Sequence, residues 1–275
     1  VTYFTNNDFS IIPEKNVKVI FFDSNNTEDI ILYLQKINTQ ILIVDHYGIT
    51  TEVLLSLQKY FKIIYFDSDF INPEVNVIIN FNPFSTTKYL VKNQNTKYFL
   101  GLEYNVLRKK LIEVKERSFE KKSIFICIGG TDLFSITLDL IKYLPNHNFN
   151  YKNILGKGCL EEYYEKVKEN LIKSKLTYKL FHQPENFFKI MNSCEFAIVS
   201  CSTIIYELSY FKKPFFCINV ISNQDKLEEY LISQDIKVIG KDNLKDIKNI
   251  ILNNEFRVLN KDLEDKSTEL IETIR

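Results

Sequence analysis

Short apolar runs alternate with longer helix-patterned segments from end to end of this 275-residue chain, and that rhythm narrows the architectures open to it. Strands are expected at 1–5, 17–22, 41–44, 63–66, 77–80, 97–100, 124–128, 151–155, 176–180, 196–200, 214–219 and 236–239. Helices are expected at 27–36, 51–59, 133–144, 160–173, 184–192, 204–211 and 224–233. The strands are rich in β-branched residues and lack polar alternation, as in Ile124-Phe125-Ile126-Cys127-Ile128, so both of their faces must be covered. Strand and helix in alternation then specify an α/β chain with parallel sheets layered by helices.

The length suits one large domain or two of ordinary size. The stretch 113–122 carries seven charges and no apolar cluster, which suits a linker. It divides the chain into an N-terminal domain at 1–117 and a C-terminal domain at 118–275. Lys+Arg and Asp+Glu both total 35, which argues against nucleic acid or an anionic membrane as the main partner. No apolar run approaches the roughly 18 residues that span a bilayer, and no signal-peptide pattern is seen. The five cysteines (Cys127, Cys159, Cys194, Cys201 and Cys217) form no C-x-x-C pair. They read as reduced thiols, and the expected location is the cytoplasm.

In open parallel sheets, ligands bind beyond the carboxyl ends of the strands, so the residues just after each strand carry the functional information. Three such places stand out. Gly129-Gly130-Thr131-Asp132 follows a buried strand in a chain with only seven glycines. Its backbone can approach a ligand closely, and the helix start behind it favours a phosphate; an ordinary glycine turn with a Thr or Asp cap is the alternative. Ser200-Cys201-Ser202-Thr203 runs into a helix in the same way, and Glu207 lies one turn further on. That carboxylate could accept two ribose hydroxyls; otherwise Ser202 or Thr203 caps the helix and Glu207 is solvated. Asp45-His46-Tyr47-Gly48 brings a carboxylate, an imidazole and a phenol to a third strand end; a structural His beside an Asp is the alternative. Asn223 and Gln224, after the strand at 214–219, offer amides to sugar hydroxyls or simply form a polar loop and cap. No P-loop, G-x-G-x-x-G, G-x-S-x-G or H-E-x-x-H occurs, and no metal site or cofactor is expected.

Asp45-His46-Tyr47-Gly48-Ile49, Asn80-Phe81-Asn82, Phe125–Asp132 and the turn from Ser200 to Glu207 resemble, in order and spacing, the PseG UDP-sugar hydrolases of pseudaminic acid biosynthesis. That family is similar in fold to MurG and other GT-B proteins. The resemblance implies two Rossmann-like, doubly wound domains facing a cleft, in a cytoplasmic protein expected to be a monomer. It implies hydrolysis of UDP-2,4-diacetamido-2,4,6-trideoxy-β-L-altropyranose to UDP and the free sugar, by metal-independent attack of water with inversion. Gly129, Gly130, Thr131, Ser200, Ser202 and Thr203 would then line the diphosphate and Glu207 the ribose. Asn223 and Gln224 would face the diphosphate or sugar, and Tyr47, with Asp45 and His46, the reacting sugar. The family's water-activating His lies in a G-x-G-H segment after the first strand, and this sequence has no such segment. Val1 aligns with the family's second strand, so the N-terminal domain is expected to lack its first strand and to be poorly stable alone. A GT-B glycosyltransferase and a non-catalytic UDP-sugar-binding module are the alternative functions.

Overall fold

The computed structural model describes residues 2–5, 18–21, 26–46, 48–89, 92–115, 119–146, 148–259, 266, 269 and 272, the side chains of 2–5, 18–21 and 87 apart. The chain divides into two compact units, Val1–Tyr104 with Lys266–Arg275, and Asn105–Asp265. Each expected strand is present, and every paired strand within the sheets runs parallel.

In the first unit, β1 (Thr2–Thr5) pairs with β2 (Lys18–Phe21). A four-stranded sheet follows in sequence order: β3 (Ile41–Val44), β4 (Lys62–Phe66), β5 (Val77–Asn80) and β6 (Lys97–Leu100). Among the described residues no ladder joins β1 and β2 to that sheet. The helices Thr27–Lys36 and Thr51–Gln58 start where Asn26 and Thr50 accept the N–H groups of Asp29 and Val53. Their buried Leu34, Leu54 and Leu57 join Ile63, Tyr65 and Ile78 of the sheet in one core. Each such side chain removed from water contributes roughly 1.5–3 kcal/mol.

The second unit is a six-stranded sheet of β7 (Glu120–Cys127), β8 (Asn150–Leu155), β9 (Thr177–His182), β10 (Cys194–Ser200), β11 (Phe215–Asn219) and β12 (Val238–Gly240). Their spatial order is β12-β11-β10-β7-β8-β9. Ile124, Ile126, Tyr151, Leu155, Ile198, Phe216 and Ile218 form one face of the sheet's core. Residues of the helices Ile136–Ile141, Glu161–Lys173 and Ile247–Leu252 close over that core. All five cysteines are free, buried and in this unit. Burial pushes the Cys127 thiol up to about 12 and the Cys194 thiol up to about 11.

Two differences between the expected and the observed elements have a visible cause. The helix expected at 133–144 is confined to Ile136–Ile141, because Asp132 starts it from a left-handed turn and leaves Leu133 and Phe134 exposed. The stretch 113–122, expected as a linker, reaches into β7 at Glu120, where Lys122 sits at φ 57° beside a register shift against β10.

Candidate functional site

The strand order of the second unit fixes where a ligand can sit. The chain starts at β7 in the middle of the sheet, builds outward through β8 and β9, then returns to β10 and builds the other way. In a sheet of this order the helices after β7 and β10 lie on opposite faces, and ligands of open parallel sheets bind between the carboxyl ends of two such strands. The two turns singled out in the sequence, 129–131 and 200–203, stand at that point.

The first turn is held open by its neighbours. Gly129 adopts φ 86°, a conformation an L side chain rarely takes, and a Cβ there would lie 3.9 Å from Ser200 Oγ, so the two turns adjoin. Gly158 N–H donates to Gly130 O at 3.0 Å. A Cβ on Gly156 would come within 2.5 Å of that same carbonyl oxygen, and one on Gly158 within 2.4 Å of Thr131 Cγ2. Gly156 and Gly158 thus let their turn pack directly against the Gly130 backbone and the Thr131 methyl. Sequence reasoning missed Gly156 and Gly158, although Leu155-Gly156-Lys157-Gly158 repeats the strand-then-glycine signal.

Asp132, rather than Thr131, caps the helix behind the turn. Its carboxylate accepts Ile136 N–H at 2.9 Å and Thr137 N–H at 3.0 Å, and Tyr163 donates its hydroxyl to it as well. Thr131 is left exposed beside Gly130.

In the second turn Ser200 Oγ and Ser202 Oγ lie 3.1 Å apart. Thr203 occupies the N-cap of the helix Ile204–Tyr210 without a side-chain capping bond. Capping therefore does not engage the Thr203 hydroxyl. Glu207 is not on a solvated face: its side chain is 13% exposed and paired with Arg108 at 2.6 Å. Burial raises the Glu207 carboxyl above its ordinary range, and the Arg108 guanidinium opposes that rise. Arg108 itself stands over the rings of Phe187 and Phe188, at 5.3 and 4.4 Å from their centroids. Nothing local in the sequence marked Arg108, which is 99 residues from its partner.

Asn223 and Gln224 form the 3-10 turn Ser222–Gln224 after β11. Asn223 is exposed, whereas Gln224 Oε1 accepts Val220 N–H at 3.1 Å and so closes its own loop.

In the first unit the loop after β3 is tied to the loop after β4. Gly48 N–H donates to Asp69 at 3.3 Å, Asp45 is exposed, and half-buried His46 has an Nδ1 without a hydrogen-bond partner among the described residues. Tyr47 lies outside the described residues. A buried network that sequence reasoning did not find organises the neighbouring strand ends. Asp67, fully buried, accepts Ile71 N–H at 3.0 Å, Asn72 N–H at 2.8 Å and the Tyr89 hydroxyl at 2.7 Å. Asn80 donates to the Asp67 carbonyl at 2.6 Å and accepts from Asn82.

Among the described residues no helix is long and apolar enough to cross a membrane, and no group of three His, Cys, Asp or Glu could hold a metal ion. No family model matches the chain. It is 26% identical over 245 residues to the UDP-2,4-diacetamido-2,4,6-trideoxy-β-L-altropyranose hydrolase of Campylobacter jejuni, covering 83% of this chain and 84% of that protein. A second relative, from Helicobacter pylori, is a pseudaminic acid cytidylyltransferase and hydrolase of the same UDP-sugar. It is 25% identical over 152 residues, 55% of this chain and 27% of that protein. The chain resembles the PseG hydrolases over most of its length. Among solved structures, Acinetobacter baumannii MurG superposes with a TM-score of 0.62 at 11% identity, over 94% of this chain and 85% of that one. The fold is that of the GT-B proteins.

Proposed function

We propose that this protein hydrolyses a UDP-linked sugar, with the diphosphate between the 129–131 and 200–203 turns and the ribose on Glu207. The observation that carries this reading is the pairing of two small-residue turns at the sheet's switch point with a half-buried carboxylate one helical turn behind. Exposed Gly130 and Thr131 offer close backbone approach, Ser200, Ser202 and Thr203 offer hydroxyls, and Glu207 offers the acceptor a vicinal diol needs. Similarity to the C. jejuni hydrolase supports UDP-2,4-diacetamido-2,4,6-trideoxy-β-L-altropyranose as the substrate and water as the acceptor. We assign Tyr47, Asp45 and His46 to the reacting sugar and Asn223 and Gln224 to the diphosphate or sugar; resemblance supports both assignments.

The test is UDP release from that substrate by the purified chain, followed with and without added acceptor sugars. Release that needs no acceptor supports the hydrolase. Release only with an acceptor transfers the reading to glycosyltransferase, and tight UDP binding without turnover leaves a binding module.

A further inference from the structure

We propose that Arg108 is a ligand-displaced latch: it occupies the Glu207 carboxylate in the free protein, and a nucleoside diol must take that carboxylate from it. This rests on the ribose role proposed for Glu207 and adds a competitor to it. Both Arg108 Nε–H and Nη2–H donate to the single oxygen Glu207 Oε1, at 2.8 and 2.6 Å. Two donors fill the two lone-pair directions of that atom. A vicinal diol that bridges both carboxylate oxygens needs one of them back.

The two partners are unequally placed. Glu207 is 13% exposed and would be left poorly compensated if unpaired, while Arg108 is 60% exposed. Its guanidinium can withdraw into water, or remain on the Phe187 and Phe188 rings, without burying a bare charge. The ion pair therefore keeps the half-buried carboxylate satisfied until a ligand arrives, and lowers the apparent affinity by the fraction of time the carboxylate is taken.

Titration of the full chain with uridine and 2′-deoxyuridine tests this, since both are neutral and losing a cation does not alter their attraction. Arg108→Met is expected to tighten uridine on the order of threefold. Affinity for 2′-deoxyuridine, which has no vicinal diol, is expected to stay within about twofold. Arginine-selective nitrogen spectra give a second readout: the Nε–H signal absent from Arg108→Met should shift when the wild-type chain is saturated with UDP. Unchanged or weaker uridine binding by Arg108→Met, or an unmoved Nε–H signal while UDP binds, overturns the latch and leaves the nucleotide site standing. A wild-type chain that binds no UDP removes the nucleotide site and the latch together.

Discussion

Gly130 and Gly156 separate two uses of a missing side chain. A Cβ on Gly156 meets the Gly130 backbone at 2.5 Å, and neither turn is a flexible side-chain end that could step aside. Gly156→Ala should therefore cost about 1–3 kcal/mol, seen as a lower thermal midpoint, and should weaken UDP roughly tenfold as the 129–131 turn shifts. A Cβ on Gly130 meets nothing within 4 Å. Gly130→Ala should leave stability within about 0.5 kcal/mol of wild type yet still weaken UDP, because the added methyl stands at the proposed diphosphate site. Glu207 makes a second residue-scale prediction. Its carboxyl is raised from the ordinary 4.5, chiefly by burial. In the proposed ribose role the ionised carboxylate would accept two hydroxyls; protonated, it loses that charge. Uridine affinity should fall as pH is lowered through the window just above the usual carboxylate range, and Glu207→Gln should flatten the profile. A profile that is the same in both proteins would remove Glu207 from the ribose.

At the scale of elements, the buried Asp67 shows how a loop is fixed by one carboxylate. Asp67→Ala strands Ile71 N–H and Asn72 N–H and leaves the Tyr89 hydroxyl only its longer bonds to the Asp67 carbonyl and Asn80, and should cost about 3 kcal/mol in urea unfolding. Tyr89→Phe removes one bond of that set and should cost about 1 kcal/mol. This network was not legible in the sequence, because its members come together only after β4 and β5 pair; Asp67 and Tyr89 are 22 positions apart. The strands were legible for the opposite reason. A parallel strand covered on both faces must be apolar over a short contiguous run, as Ile63-Ile64-Tyr65 and Ala197-Ile198-Val199 are, so burial and identity coincide. The two strand-end turns were legible because small residues directly after such a run are a local signal. The length of the helix behind the first turn was not, since Asp132 bonds across four and five positions and excludes Leu133 and Phe134. Arg108 had no local signature at all, its partner being placed by the whole sheet.

For the whole molecule, the two units carry separate cores, and the switch-point turns, Glu207 and Arg108 belong entirely to one of them. The same unit holds every thiol of the chain, each of them buried, and burial raises those of Cys127, Cys159, Cys194 and Cys217. Such sulfurs do not react while the unit is closed. A thiol-reactive chromophore added to the native protein is therefore an opening clock for residues Asn105–Asp265, where all five sulfurs lie. The expected record is slow labelling that UDP slows further in proportion to its occupancy, with all five sulfurs released together in denaturant. Fast labelling of the folded protein, or a rate indifferent to UDP, would contradict this. The chain thus carries, in the residues most often discarded before biophysical work, a domain-resolved probe that needs no engineered label.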